Sequence, residues 1–325
     1  MMQYHHIFRE ISNLLVQYAM IIITAANAEI KQTMGHQCPC FFYIAKKGGN
    51  FMEKNEMVFY PQDEMNTVLI PVTTGCSYNR CAFCSMYKDN EYKEVPITEI
   101  ENHLINAYIY TERVFLTGAD PLSIGFRKMK IILEMIRKRI PYCACVASYA
   151  SVKNISMYTL EELTELHDLG LRMLYIGFET GSDKVLKLMN KGHTVEEAVR
   201  EARKLNQAKL QFNSILMYGI AGEGEGIQNA RLTAQMLNKF VTARVIMMNL
   251  TVFHGTELEE MILRGEFRAP GRVERLSELR ELVTNLEPEY PAIFDTTHPT
   301  NIIKIKGTLP QDREKLISEI AAHIQ

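Results

Sequence analysis

The chain has no block of like charge, no low-complexity tract and no internal repeat in its 325 residues. Lysine and arginine number 36 against 38 acidic residues, a formal net charge of −2. Charge this balanced leaves no footprint for a polyanion, so nucleic acid is not indicated as a partner and neither is a membrane surface. Long apolar runs are also lacking. The patch within residues 11–28, around Ala19-Met20-Ile21-Ile22-Ile23, is interrupted by Asn13 and Gln17. It falls short of the roughly 20 residues that a membrane-spanning helix needs. Its end, Ala26-Asn27-Ala28, only loosely imitates a signal-peptide cleavage site. Cysteine is sparse and odd in number, at Cys38, Cys40, Cys76, Cys81, Cys84, Cys143 and Cys145. An odd count argues against a secreted disulfide framework and points to a reducing cytoplasm.

What is present begins with one short loop, Gly75-Cys76-Ser77-Tyr78-Asn79-Arg80-Cys81-Ala82-Phe83-Cys84-Ser85-Met86-Tyr87. Its spacing is C-x4-C-x2-C, and no fourth Cys or His follows within ten residues. Three thiolates at such spacing can wrap one soft metal centre. An iron–sulfur cube held by three cysteines keeps one iron open for a ligand that is not protein. Two plainer readings stand beside it: a zinc knuckle lacking its fourth ligand, and three unconnected loop cysteines.

Hydrophobic residues make up 47% of the chain, enough for a sizeable core. From residue 66 onward, short apolar runs alternate with longer amphipathic ones. Strands are expected at 67–72, 114–116, 142–147, 174–177, 211–218 and 245–251. Helices are expected between them, two opened by caps at Thr159 and Thr194. This alternation predicts an α/β fold with a parallel sheet. After residue 252 the texture becomes that of amphipathic helices at 256–264, 272–286 and 312–324. Before residue 52, Lys46-Lys47-Gly48-Gly49 requires purine-rich codons resembling a ribosome-binding site upstream of Met52. Residues 1–51 are therefore read as an extension outside the native protein. A native product whose mass shows a start at Met1 would overturn that.

Taken in order, these motifs resemble the radical S-adenosylmethionine (SAM) enzymes, over roughly residues 66–310. The usual loop of that superfamily is C-x3-C-x2-C, and one extra residue stands here between the first two cysteines. The resemblance implies an open, partial (β/α)6 TIM-like barrel over residues 52–252, with a C-terminal helical extension, 253–325, covering it. In barrels of this kind reactive groups sit at the C-terminal ends of strands. The cysteine loop, Asp120, Glu179 and Gly219 all fall at such ends. By the same resemblance, Cys76, Cys81 and Cys84 hold a [4Fe–4S] cluster, and Phe83 packs beside the adenine of SAM. The turn Gly118-Ala119-Asp120 takes the methionyl amino group, although it is equally an ordinary strand-to-helix turn. Glu179, in Ile176-Gly177-Phe178-Glu179-Thr180-Gly181-Ser182, hydrogen-bonds the ribose, since a carboxylate accepts from both hydroxyls. Lys191 contacts the methionine carboxylate or is a solvated helix-end lysine. The backbone near Ile220 packs on adenine. Ser148 and Tyr149 point at the same mouth or are turn residues. His254 lies where a substrate could reach, though a lone His is more often structural. Cys143 and Cys145 read as small core residues on one face of a strand.

The implied activity is reductive cleavage of SAM to a 5′-deoxyadenosyl radical that takes a hydrogen atom from an unidentified, small-molecule or other, substrate. A reductant such as flavodoxin or ferredoxin would supply the electron. The Ile176–Ser182 segment resembles the coproporphyrinogen-oxidase-like branch, but Met86 stands where that branch carries a further cysteine, which argues against porphyrin decarboxylation. No cysteine follows Cys145, so a C-terminal auxiliary cluster is not expected, nor is an appended cobalamin-binding or acetyltransferase domain. The competing readings are a non-catalytic iron–sulfur sensor of redox state or iron, and a zinc-stabilised barrel of unrelated activity.

Overall fold

The computed structural model describes residues 58–324. The expectations for residues 1–51, Met52, Cys38 and Cys40 lie outside the described residues. Strand β1 (Val68–Pro71) runs into β2 (Thr73–Thr74), which pairs antiparallel with β3 (Lys93–Glu94) and encloses the cysteine loop. There follow α1 (Ile97–Ile105), β4 (Arg113–Thr117), α2 (Phe126–Arg139), β5 (Cys145–Ala150), α3 (Val152–Ile155), α4 (Leu160–Asp168) and β6 (Leu171–Glu179). Next come α5 (Asp183–Leu188), α6 (Val195–Gln207), β7 (Gln211–Tyr218), α7 (Gly226–Leu237) and β8 (Arg244–Asn249). The tail adds α8 (Glu257–Leu263), α9 (Arg272–Asn285), β9 (Ala292–Asp295), β10 (Lys306–Leu309) and α10 (Arg313–Ala322).

Eight strands form one sheet in the order β1-β4-β5-β6-β7-β8-β9-β10. Neighbours are parallel as far as β9, and β10 ends the row antiparallel. Among the described residues the sheet keeps two edges, β1 and β10, and does not close on itself. Its six expected parallel strands lie in chain order. Alternation along the strands sorts side chains onto two faces. Val114, Leu116, Val146, Leu174, Ile176 and Phe212 pack under the helices. Phe115, Ala147 and Tyr175 lie on the other face with Leu69, Tyr149, Met173, Ile215 and Ile246. With both faces covered, β6 reads as a nearly continuous apolar run. Helices α4 and α6 each open with a capping box, Thr159 with Glu162 and Thr194 with Glu197, which satisfies two otherwise orphaned N–H groups apiece.

The segment before β1 reaches the inner face near the N-terminal ends of the strands. Glu64 is wholly buried there and accepts hydrogen bonds from Arg113 Nη2 at 2.6 Å and Tyr175 Oη at 2.9 Å. Among the described residues no helix is long and apolar enough to cross a membrane.

Three local expectations need correction. The tail is not helical throughout, because β9 and β10 extend the sheet. Strands of four residues carry little local signal; β9, just after Pro291, forms by pairing with β8, and β10 by pairing with β9. The third expected strand starts later, at Cys145, because its ladder begins where Ala144 and Cys145 N–H meet Glu112 O, just before β4. Cys143 therefore precedes the strand and does not share its face with Cys145, whose Sγ accepts from Arg113 Nη1 at 2.9 Å. Helix α1 stops at Ile105, capped by Asn106, and leaves Tyr108 and Tyr110 exposed in the following turn.

Candidate cofactor site

The cysteine loop hangs between β2 and β3, beyond the C-terminal end of β1. Gly75 starts it at φ +64°, and a Cβ there would lie 2.7 Å from Glu91 O. The four residues between Cys76 and Cys81 turn at Asn79, whose φ is +44°, a conformation that asparagine tolerates. Asn79 N–H donates to Cys76 Sγ at 3.3 Å, and its side-chain amide donates to Tyr87 O at 3.0 Å. The far side of the loop is stitched to residues 189–190. Ala82 N–H donates to Met189 O, Tyr78 Oη to Asn190 O, and Asn190 Nδ2 to Arg80 O. Burial pushes the Cys81 thiol up to about 11 against the opposing charge of Lys191, and raises Cys84 in the same way. Thiols so placed ionise readily only against a cation.

Three further strand ends meet this loop. At the end of β4, Gly118 has φ +129°, and a Cβ would stand 2.1 Å from Thr73 Oγ1. Thr73 Oγ1 is buried with no partner among the described residues. Two residues on, Asp120 is 5% exposed. Its Oδ2 accepts from Ser151 N–H at 2.9 Å and Asn154 Nδ2 at 2.6 Å, while its Oδ1 has no partner among the described residues. Burial pushes this carboxyl up to about 6 despite those hydrogen bonds. At the end of β6, Glu179 is buried with φ +65°, an outlier of the kind found where function requires a fixed side chain. Lys191 Nζ donates to its Oε1 at 2.8 Å and lies 6.0 Å over the Phe83 ring. Burial opposes the Lys191 charge, but Glu179 and Cys81 beside it hold the ammonium above its usual range. A Cβ at Gly177 would come within 2.5 Å of Glu179 Oε1. At the end of β7, Ile220 is fully buried with Ala82, Val185, Met189 and Leu258, and Phe83 packs against this cluster.

Against this geometry stand the comparisons with known proteins. The model of the Radical SAM superfamily matches residues 70–234, half of the chain. This chain belongs to the radical SAM superfamily. A tRNA uridine(34) acetyltransferase of Methanocaldococcus infernus is 28% identical over 131 residues, covering 40% of this chain and 24% of that protein. A tRNA-2-methylthio-N(6)-dimethylallyladenosine synthase of Chlorobium luteolum is 23% identical over 233 residues, 69% of this chain and 51% of the relative. The chain thus spans a quarter to a half of these curated relatives. Coproporphyrinogen III oxidase from Escherichia coli, a solved radical SAM enzyme, aligns with TM-score 0.52 at 13% identity, over 67% of this chain and 51% of that one. At that identity the likeness is one of fold.

The residues fit the cofactors that a radical SAM protein carries. The donor set is three thiols and no carboxylate. Among the described residues no three Cys, His, Asp or Glu side chains gather tightly enough to hold a single ion. Three thiols with no fourth protein ligand suit a cube, in which each cysteine takes its own iron and one iron stays open. The unpartnered acceptors Thr73 Oγ1 and Asp120 Oδ1 suit an ammonium group.

Several expected residues lie elsewhere. Ser148 is on the helix-facing side of β5, fully buried, and donates to Tyr149 O. Tyr149, its neighbour, is the one on the inner face. The His254 side chain is 98% exposed and pairs with Glu259 at the start of α8. Sequence reasoning missed Thr73, Asn154, Asn229 and Glu278. Glu278 alone left a signal, a charge four and eight residues before Leu282 and Leu286 on a buried stripe of α9.

Proposed function

We propose that this rim of strand ends is a SAM-cleaving centre, with Cys76, Cys81 and Cys84 as the ligands of a [4Fe–4S] cluster. Held there, the cluster and SAM would supply one-electron chemistry, the electron coming from an external reductant and methionine being the leaving group. The protein's part is to orient and to keep water out. Asp120 Oδ1 and the carbonyls of the Gly118 turn accept the methionyl ammonium, which the absence of a side chain at Gly118 lets come close. Lys191 faces the methionine carboxylate. Glu179, fixed by that lysine and by its own strained backbone, accepts from the ribose hydroxyls. Phe83 and the backbone at Ile220 enclose the adenine. The observation that carries the reading is the buried, unpartnered Asp120 Oδ1 on the same rim as the three thiols. A non-catalytic iron–sulfur sensor needs the thiols but neither that acceptor nor a strained Glu179.

The substrate is taken to be a small molecule, and the electron source a reductant of the flavodoxin or ferredoxin kind in the cytoplasm. The tRNA named for the two curated relatives is not adopted, because the balanced charge gives it no support here. Anaerobic reconstitution of the full chain tests the reading. The wild type is expected to hold about four irons and four sulfides and, once reduced by dithionite, to give an electron paramagnetic resonance signal that shifts when SAM is added. Zinc in their place, or a signal blind to SAM, overturns it.

A further inference from the structure

Helix α9 lies outside the residues matched by the superfamily model, yet it grips the rim from behind. Glu278 on this helix is 3% exposed. Its Oε2 accepts from Gly219 N–H at 2.7 Å, and its Oε1 accepts from Asn229 Nδ2 at 2.8 Å. Asn229 Oδ1 in turn accepts the Thr180 hydroxyl at 2.5 Å, and Thr180 follows the strained Glu179. The adjacent Gly181 N–H is held by Thr233 Oγ1 at 2.9 Å. Glu179, Asn229, Thr233 and Glu278 line one cavity of about 10 Å³, room for a single water at most. One turn before Glu278, Arg275 lies over Gly219 and donates to Pro270 O, Asn249 Oδ1 and Leu250 O.

A carboxylate buried against two neutral donors is a costly choice. An apolar side chain would fill the space without the desolvation of a charge. What the carboxylate offers is two acceptors at once, one for each turn that flanks the expected adenosine seat. We propose that Glu278 is a positioning residue for SAM. It holds the Gly219-Ile220 turn directly, and holds Glu179 through Asn229 and Thr180, so that the C-terminal extension sets the affinity of the rim for the adenosine end. This rests on the SAM reading of the site.

Burial pushes the Glu278 carboxyl up to about 7 against the two hydrogen bonds, so its ionisation falls in an accessible range. The groups facing it are Glu274 and Arg275 on its own helix, Tyr218 at the end of β7, and Glu179 across the cavity. From α7 it meets the neutral Asn229. Protonated, Glu278 loses one acceptor, and one of the two turns is released.

The test is anaerobic equilibrium binding of SAM to the reconstituted full chain, at about pH 6 and about pH 8. Wild type is expected to bind more than about tenfold more weakly at the lower pH, tenfold being the worth of one hydrogen bond to a charged group and the rest the titration of Asp120. Glu278→Ala is expected to bind about tenfold more weakly than wild type at the higher pH, with unchanged iron content. Glu278→Gln keeps the shape without this titration, so its affinity is expected to change less between the two pH values than that of wild type, the remainder coming from Asp120. Wild-type affinity in Glu278→Ala overturns the inference. Should that variant fail to fold, a pH dependence in Glu278→Gln parallel to wild type overturns it instead. A wild type that binds no SAM at either pH overturns the parent reading, and this one with it.

Discussion

Gly118 and Asp120 together make the end of β4 fit for an ammonium group, and each can be tested alone. Gly118→Ala puts a methyl into Thr73 at a positive φ. It is expected to cost about 2 kcal/mol and to abolish SAM binding. Chemical denaturation measures the first, and Thr73→Ala in the same chain should recover part of it. Asp120→Asn separates binding from folding. Its carbonyl oxygen can replace Oδ2 toward Ser151 and Asn154, while its NH2 takes the place of the unpartnered Oδ1. Burial pushes the folded carboxyl up to about 6 from its ordinary value of 3.8. A raised acid favours the folded state fully below its unfolded value, and that contribution is lost as pH rises through about 6. Asp120→Asn should therefore gain on wild type as pH rises from about 4 to about 6 and hold that gain above it. It should bind SAM at least about tenfold more weakly throughout. A variant less stable than wild type at neutral pH, or one that binds SAM normally, contradicts this role. Of this turn the sequence showed the glycine and the acid, because residue type and place after a strand carry that information. It did not show Thr73 or Asn154, whose parts depend on contacts across the sheet that no local pattern encodes.

At the scale of elements, the alternation of strand and helix was readable from periodicity, and the capping boxes of α4 and α6 marked helix starts within a residue. The small hairpin β2–β3 and the strands β9 and β10 were not readable. Each is two to four residues long and exists through its partner. These short strands still matter to the whole sheet, since β9 covers the edge of β8. A chain ending at Asn285 would leave β8, still paired with β7, as an open edge of the sheet. Such a truncation is expected to aggregate, as seen by size-exclusion chromatography, and a monodisperse product would contradict it. The opposite end of the sheet depends on Glu64. Its replacement by Ala strands the Arg113 guanidinium and the Tyr175 hydroxyl, and is expected to cost about 3 kcal/mol. Because that cluster lies at the N-terminal ends of the strands, SAM affinity in the folded fraction should hold. A stability loss below about 1 kcal/mol would show the ion pair to be dispensable.

For the whole molecule, the sheet gathers onto one rim residues scattered from Thr73 to Glu278, and only the thiols among them announce their chemistry by spacing. The acceptors, the strained glutamate and the lysine around those thiols give them a use beyond holding iron. The measurement that bears most directly on this is production of 5′-deoxyadenosine, followed by mass spectrometry after anaerobic addition of dithionite and SAM to the reconstituted chain, with Cys81→Ala alongside. A SAM-cleaving rim predicts product from the wild type and none from Cys81→Ala. A wild type with a complete cluster and bound SAM that yields no 5′-deoxyadenosine, or a Cys81→Ala chain that yields as much, would contradict it.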